Sequence, residues 1–213
     1  MSHLKKFLLF SALAVASLSA VSSAGAATAT ITGGPGVSGA TGGTALRLHT
    51  AAVSLSCTSG GATGTVAAST SGAFGLRVGT ITPSFSNCSV TGGIAITVAC
   101  QPAALLVTAP TTAGHTPGAI TGISCHIFRT AQTNCRVTVA GQVGARVTNG
   151  PPASISVDQF HTNLLATSST NGSGASCAVL PNDTSARFFS TSAGNPDTVY
   201  SVTPTNLSVS VVN

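Results

Sequence analysis

The sequence predicts an all-β fold, a single antiparallel β-sandwich or barrel-like domain stapled by disulfides. Three observations lead to this prediction. Apolar and polar residues alternate with a period of two along several segments, six cysteines accompany these segments, and Gly- and Pro-rich stretches separate them. After the N-terminal region, no stretch has sustained helical periodicity with good helix formers, so a parallel sheet with connecting helices is not expected.

The N-terminus has the layout of a secretory signal peptide. Lys5 and Lys6 precede an apolar stretch from Phe7 to Leu18, and the small residues Ala24-Gly25-Ala26 follow. We expect cleavage after Ala26. The apolar stretch is shorter than the roughly 20 residues that a spanning helix needs, so we interpret it as a leader and not as a membrane anchor.

The chain therefore divides into three parts, and we expect the product to be secreted, either extracellular or associated with the cell envelope. No later apolar run approaches spanning length, so no integral membrane span is expected. The expected divisions are a signal peptide over residues 1–26, an edge strand or flexible N-terminal segment over 27–43, and the β domain over 44–213.

Five segments carry the clearest alternation. Apolar residues occupy one phase and mostly Ser, Thr and Ala the other, as expected for half-buried antiparallel strands. With the weaker candidates, roughly ten to thirteen strands are expected, enough for a sandwich or barrel. The apolar phases are Val53, Leu55 and Cys57; Ile94, Ile96, Val98 and Cys100; Cys135, Val137 and Val139; Ile155 and Val157; and Leu207, Val209 and Val211.

Turns are expected where glycine and proline cluster between the strands. The expected turns are Ser59-Gly60-Gly61, Thr91-Gly92-Gly93, Asn149-Gly150-Pro151-Pro152 and Asn171-Gly172-Ser173-Gly174.

Four cysteines share the phase of the apolar residues in their strands, which places their sulfur atoms on the core face: Cys57, Cys100, Cys125 and Cys135. An even number of cysteines in an exported chain indicates three disulfides, although six cysteines allow fifteen connectivities. We expect sequential pairing, because each pair then joins neighbouring strands of a meander. A thiolate metal site needs closer spacing, such as C-x-x-C, which is absent. The expected pairs are Cys57 with Cys88, Cys100 with Cys125, and Cys135 with Cys177.

After the leader, the chain has no Lys or Glu and only three Asp, so ionisable residues are scarce there. Trp is also absent from this part of the chain. Nucleic-acid binding needs a dense basic face, whereas the six Arg are scattered along the sequence. We therefore expect no nucleic-acid partner. Three Asp without Glu give poor material for a glycosidase pair or a calcium site. With so few carboxylates, we also expect stability to vary little between mildly acidic and neutral pH.

Residues suited to catalysis do not form a recognisable motif. His126 follows Cys125, and His161 follows Asp158 by three positions, but on a strand neither spacing places the side chains on one face. A Ser-His-Asp set assembled across strands from Asp158 and one histidine stays open, without a G-x-S-x-G motif to present the serine. We expect no enzymatic activity, no catalytic residue, no cofactor and no metal site.

Gly34-Pro35-Gly36-Val37-Ser38-Gly39 matches G-x-G-x-x-G. A dinucleotide site would need a helix there and an acidic residue about 20 positions later. The following segment is strand-like and has no Asp before Asp158, so we interpret the match as a Gly-rich loop.

The order of features resembles a set of uncharacterised secreted proteins of actinobacteria. The resemblance covers most of the chain after the leader and implies a β-rich, disulfide-containing bacterial domain without an established activity; Cys100 and Cys125 are additions to the pattern. It rests on Leu55-Ser56-Cys57-Thr58-Ser59, Ala62-Thr63-Gly64-Thr65-Val66, Ile81 to Phe85, Asn87-Cys88, Cys135-Arg136-Val137-Thr138-Val139-Ala140-Gly141 and Cys177.

Two functions from different classes fit this sequence better than catalysis. The first is a non-catalytic structural or interaction domain, because charge-poor strands offer smooth faces for a cell-envelope partner or for a second copy of the chain. The alternative is a carrier of a small apolar ligand, since sandwiches and barrels can enclose a cavity without charged residues. A hydrolase comes third. An enclosed apolar pocket would favour the carrier, and a continuous exposed apolar face would favour association.

Overall fold

The computed structural model describes residues 26–41, 46–49, 54–67, 69–90, 92–130, 132–170, 184–190 and 198–212. Every secondary-structure element in these ranges is a strand, which confirms the all-β prediction. Among the described residues, we find no helix with the length and apolarity to cross a membrane. The strands are β1 (Ala27–Thr32), β2 (Gly36–Ala40), β3 (Leu46–His49), β4 (Ser54–Val66), β5 (Ser69–Gly72), β6 (Leu76–Val90), β7 (Ile94–Cys100), β8 (Ala103–Val107), β9 (His115–Arg129), β10 (Gln132–Thr148), β11 (Ser154–Thr170), β12 (Thr184–Ser190), β13 (Thr198–Thr203) and β14 (Ser208–Val212).

The larger of the two sheets closes on itself. Its strands follow the order β4, β2, β13, β11, β10, β9, β7, β6, and β6 then pairs with β4, so that antiparallel hydrogen bonds run around a circuit of eight strands. At two points the circuit is formed by two short connections side by side. Both β7 and β8 pair with β6 on one side and β9 on the other. Likewise, β4 is connected to β11 by the pair β2–β13 and also by the pair β3–β12. The fold is therefore barrel-like. A closed sheet of about eight strands has an interior that side chains nearly fill, with room for one small ligand.

A second, three-stranded sheet is formed by β14, β1 and β5, with β1 in the middle. The sequence predicts an edge strand or flexible segment over 27–43, whereas the structure places β1 between two partners and β2 between β13 and β4. The reason is already in the sequence, because Ala27, Ala29 and Ile31 are buried and alternate with exposed threonines. This short alternating run is a half-buried strand.

Asn149 fixes the small sheet to one end of the closed sheet. Its Nδ2 donates to the carbonyl oxygen of Val209 on β14 at 2.9 Å, and the Val209 amide donates to Asn149 Oδ1 at 2.8 Å. The Thr116 hydroxyl, fully buried on β9, donates to the same carbonyl at 2.9 Å. The Asn149 side chain thus replaces a neighbouring strand for Val209, and the backbone groups of β14 are satisfied where they would otherwise be buried unpaired.

Two disulfides cross-link neighbouring strands, and both are pairs that the sequence analysis expects. Cys57 on β4 is bonded to Cys88 on β6, and Cys100 on β7 to Cys125 on β9; the members of each pair lie opposite each other in register, with Cα atoms 4.0 Å apart. Cys57 and Cys125 are buried, as their apolar phase predicts, and Cys88 is buried too, whereas Cys100 is half-buried. The third expected pair is untested, because Cys177 lies outside the described residues.

One expected turn is wrong. Ser59-Gly60-Gly61 lies inside β4, which continues without interruption from Ser54 to Val66. Gly61 serves close packing instead of a change of direction, because a Cβ there would lie 3.1 Å from the carbonyl oxygen of Gly39 on β2. The expected turn at Gly92-Gly93 is present, with both glycines at positive φ.

The pairing of β4 with β6, which closes the circuit, depends on two glycines. A Cβ on Gly64 would collide with the carbonyl oxygen of Thr80 on β6, and a Cβ on Gly79 would collide with that of Thr65 on β4. A side chain at either position would therefore push the two strands apart. Glycine in a strand interior commonly marks such a close backbone approach.

We expect Gly64→Ala to lower the free energy of unfolding by about 1–3 kcal/mol, because the added methyl group meets backbone that cannot move aside. The matched control is Gly36→Ala on β2, where a Cβ would meet no atom within 4 Å. That control should change stability by about 0.5 kcal/mol or less, or increase it slightly. Urea denaturation followed by circular dichroism measures both, and equal stabilities for the two variants would contradict the role of Gly64.

Candidate functional site

A cavity lies inside the closed sheet and is bounded by seven of its strands. The wall formed by β9, β10, β11 and β13 is fully buried, and the opposite wall is formed by β2, β4 and β6. The buried wall consists of Ile120, Ile123, Cys125, Val143, Ile155, Val157 and Val202. The opposite wall consists of Val37, Ser38, Gly39, Ala62, Thr63, Ile81, Pro83 and Phe85.

The cavity exists because the two walls differ in side-chain size. Branched residues such as Ile123 and Val143 project from the buried wall, whereas the opposite wall places Gly39 and Ala62 side by side as register partners on β2 and β4. These two positions lack the volume needed to fill the interior at normal packing density. An unfilled apolar space inside a closed sheet results.

The lining is almost entirely apolar. Among the described side chains, the lining contains no Asp, Glu, His, Lys or Arg, and its cysteine is in a disulfide. Ser38 and Thr63, which are register partners on β2 and β4, are the two described lining residues exposed to solvent. They alternate with the inward residues Val37, Gly39 and Ala62, so their hydroxyl groups lie on the outer face of the sheet.

The size of the cavity limits what it can hold. Its volume is about 60 Å³, and the whole space between the walls, including the part open to solvent, is about 750 Å³. An apolar cavity of about 150 Å³ takes up benzene. The cavity itself is therefore small, and only with the part open to solvent does the space reach the range of ordinary ligand sites, roughly 300–1,000 Å³.

The Cys100–Cys125 disulfide forms part of the buried wall. Cys125 lines the cavity and is 2% exposed, whereas Cys100, the last residue of β7, is half-buried. The bond ties the end of β7 to β9, next to the connection that leads into β8. The second disulfide, Cys57–Cys88, is not part of the lining. The two cross-links thus have comparable loop lengths but different positions relative to the cavity.

Among the described side chains, neither His115 nor His126 lines this cavity. His115 and His126 lie on β9, and each has its Nδ1 3.1 Å from a threonine Oγ1 on β10, at Thr148 and Thr138. His49 lies on β3. Within the described ranges, no three His, Cys, Asp or Glu residues are grouped closely enough to hold a metal ion.

The surroundings of His126 change the pKa of its imidazole. It is half-buried, and Arg136 lies on β10 diagonally across from it, next to the His126–Thr138 register pair. Burial and, secondarily, the positive charge of Arg136 lower the pKa of His126 from its usual 6.5. The neutral imidazole is therefore the form that the folded protein favours.

Asp158 and His161 lie at an irregularity in β11. Gly144 on β10 is opposite Asp158, and the preceding residue Val143 is opposite Thr162, so β11 carries three extra residues here. The structure describes the backbone of this bulge, and the Ser-His-Asp hypothesis stays untested. Asp183 and Asp197 lie outside the described residues.

The G-x-G-x-x-G match is part of a strand. Gly34 has a φ of 99°, and β2 begins at Gly36, so no helix follows the glycines. The interpretation as a chance match to a dinucleotide motif agrees with this geometry, although the last four residues form β2 and not a loop. The last glycine of the match, Gly39, lines the cavity.

Neither a family model, nor a curated protein, nor a solved structure matches this chain. The chemistry of the candidate site is therefore inferred from the residues that line the cavity.

Sequence reasoning missed the cavity-lining residues as a set. Single strands reveal which residues face inward, but they do not reveal that Gly39 and Ala62 lie opposite each other or that Val143 faces them across the interior. One signal was available: small residues recur at the inward positions of β2 and β4, where the neighbouring strands carry Ile, Val or Phe.

We expect the double variant Cys100→Ala/Cys125→Ala to lose about 3 kcal/mol of stability, because the unfolded chain is no longer restrained by the loop. Cys57→Ala/Cys88→Ala is the matched control and should lose a similar amount. The two should differ in xenon affinity, measured by ¹²⁹Xe NMR: xenon should bind more tightly only after Cys125 is truncated, since this enlarges the apolar cavity. The same xenon affinity in both variants would contradict the placement of Cys125 in the wall.

We expect a small loss of stability as the pH falls from about 7 to about 5, in keeping with the scarcity of carboxylates. The lowered pKa of His126 means that the unfolded chain binds a proton more readily than the folded protein. The contribution of His126 is therefore present above its usual pKa and is lost as the pH falls. Thermal unfolding of His126→Gln should show a flatter pH dependence than the wild type.

The control is His115→Gln, which removes the other His–Thr pair of β9 at an exposed position. It should retain the slope of the wild type. A wild-type slope in His126→Gln, or stability that rises on acidification, would overturn the assignment to His126.

Proposed function

We propose that this protein is an exported, non-catalytic binding domain that carries a small apolar ligand inside its closed sheet. One observation carries the proposal: a partly open cavity, walled by seven strands, has an apolar lining in which no described side chain is ionisable. Concave, mostly apolar cavities are the usual form of small-molecule sites. A site without acids or bases favours holding a ligand over transforming it.

The sequence by itself favours a structural or interaction domain. The described surface argues against that function. The large hydrophobic residues exposed in the described part of the chain are Phe74 and Val212, at 38% and 58%. They lie on different segments, one in the bend before β6 and one at the end of β14. Isolated exposed apolar residues are ordinary, whereas association surfaces are usually continuous apolar patches.

Export to an oxidising compartment is part of the proposal. Two disulfides are present, and such bonds persist in secreted and cell-envelope proteins. The expected signal peptide with cleavage after Ala26 and the composition, typical of a high-GC bacterial source, support the same location. A carrier in that setting would keep an apolar molecule out of water.

The hydrophobic effect supplies the affinity in this proposal. Each methylene group transferred from water into the cavity contributes about 0.8 kcal/mol. The ligand meets a largely preformed site, because both walls are strands of one closed sheet and a disulfide holds the buried wall. Little conformational freedom is therefore lost on binding.

Native mass spectrometry of the disulfide-bonded protein recovered from its own host tests the proposal. We expect a bound species of low mass that is released on denaturation. Ala62→Leu should abolish it, because three added carbon atoms occupy the cavity, while thermal stability should stay equal or rise as the void is filled. The matched control is Ala95→Leu, which makes the same change at an exposed position of β7.

The control should retain the bound species. Absence of any bound species from the wild type, or its retention in a folded Ala62→Leu variant, would contradict the proposal.

A further inference from the structure

We infer that the ligand is an uncharged, apolar molecule smaller than benzene, of the class of the short hydrocarbons. The inference rests on the proposed function, since it specifies the chemistry of the same cavity. Two observations carry it: the volume of the cavity, and the apolar character of the side chains described in its lining.

The volume of the cavity sets an upper limit on the size of the ligand. A cavity of roughly 10–15 Å³ holds one water molecule, and one of roughly 150 Å³ takes up benzene. The cavity of this protein lies between the two, at about 60 Å³. It therefore has room for a few water-sized atoms but is too small for a six-membered ring.

Buried side chains hold the cavity at this size. Ile123 and Val143 form part of one wall and are buried, and close-packed interiors adjust little to a larger occupant. Gly39 and Ala62 lie on the opposite wall. The part of the space that is open to solvent does not raise the limit, because ligand atoms that stay in contact with water gain little from apolar burial.

The lining favours an apolar occupant over water and over polar molecules of the same size. A buried water molecule needs roughly two to four polar partners. Ser38 and Thr63 direct their hydroxyl groups to the outer face of the sheet, and the other described lining residues are apolar. A hydroxyl group buried here would lose its hydrogen bonds to water without replacement, and a charged group would also lack a partner of opposite charge.

Among the apolar molecules that fit, a short hydrocarbon gains most. The free energy of transfer from water grows with the apolar surface that is buried. A single atom or a diatomic gas leaves part of the cavity empty, and the lining atoms there lack contacts. A hydrocarbon of a few carbon atoms fills the space more completely.

The test uses propane, ethanol and benzene as competitors of xenon, whose binding to the disulfide-bonded full-length protein is measured by ¹²⁹Xe NMR. Propane and ethanol have the same number of non-hydrogen atoms and differ in a hydroxyl group, whereas benzene is apolar but larger. We expect propane to bind at least about tenfold more tightly than ethanol, because the ethanol hydroxyl loses its hydrogen bonds to water. Benzene should also bind at least about tenfold more weakly than propane, because it exceeds the volume of the cavity.

Val143→Ala tests the size limit separately, because it removes two carbon atoms from the wall of the cavity. We expect it to raise the affinity for benzene at least about tenfold. The matched control is Val137→Ala, which makes the same change at a buried residue of β10 outside the lining and should keep the wild-type affinity. Ala62→Leu should lose propane binding, and Ala95→Leu should retain it.

Each competitor can overturn one part of the inference. If benzene displaces xenon from the wild type as readily as propane does, the size limit is wrong. An unchanged affinity for benzene in a folded Val143→Ala variant would contradict the same limit. If ethanol competes as well as propane, the ligand need not be apolar.

Xenon separates failure of this inference from failure of the proposed function. Xenon binding without propane binding overturns the assignment to short hydrocarbons and leaves an apolar site. If neither xenon nor any of the three competitors binds, the proposed function itself is wrong.

Discussion

The antiparallel pairing of β4 with β6 is the constraint on which the rest of the structure depends. Without it the large sheet would have two free edges and no interior, since the other strands follow one another in an open row. The pairing brings backbone unusually close at Gly64 and Gly79, where a side chain would strike the opposite carbonyl. The Cys57–Cys88 disulfide lies farther along the same pair of strands. Closure therefore combines hydrogen bonds, the absence of side chains and one covalent link.

Closure also explains why a cavity forms where it does. When a sheet of eight strands closes, inward side chains from opposite walls must fill a space of nearly fixed width. The glycine- and alanine-bearing stretches of β2 and β4 that allow close backbone approach also contribute little volume to the interior. Ile123 and Val143 on the opposite side extend only part of the way across, so the space beside Gly39 and Ala62 stays open. Tight packing of the wall and loose packing of the interior thus have a common cause.

The sequence predicts the local structure well and the assembly poorly. Alternation identifies the half-buried strands, and the apolar phase of Cys57 and Cys125 correctly places them in the core. It does not reveal that Gly60 and Gly61 continue a strand, because turn composition and close strand packing both use glycine. The cavity is harder still, since it depends on residues distant in sequence, such as Gly39 and Val143, facing each other only after the circuit closes.

Hydroxyl pairs on the outer face of the closed sheet explain how the sheet is stabilised with few charged residues. Cross-strand hydroxyl pairs occupy positions where many proteins carry ion pairs: Ser59 with Ser86 at 3.1 Å and Thr65 with Thr80 at 3.0 Å, both between β4 and β6. Such neutral pairs stabilise a sheet independently of pH and salt. A protein built in this way keeps its cavity walls in place across changes of pH and ionic strength. With no charge in the described lining, recognition within it depends on shape and apolar contact.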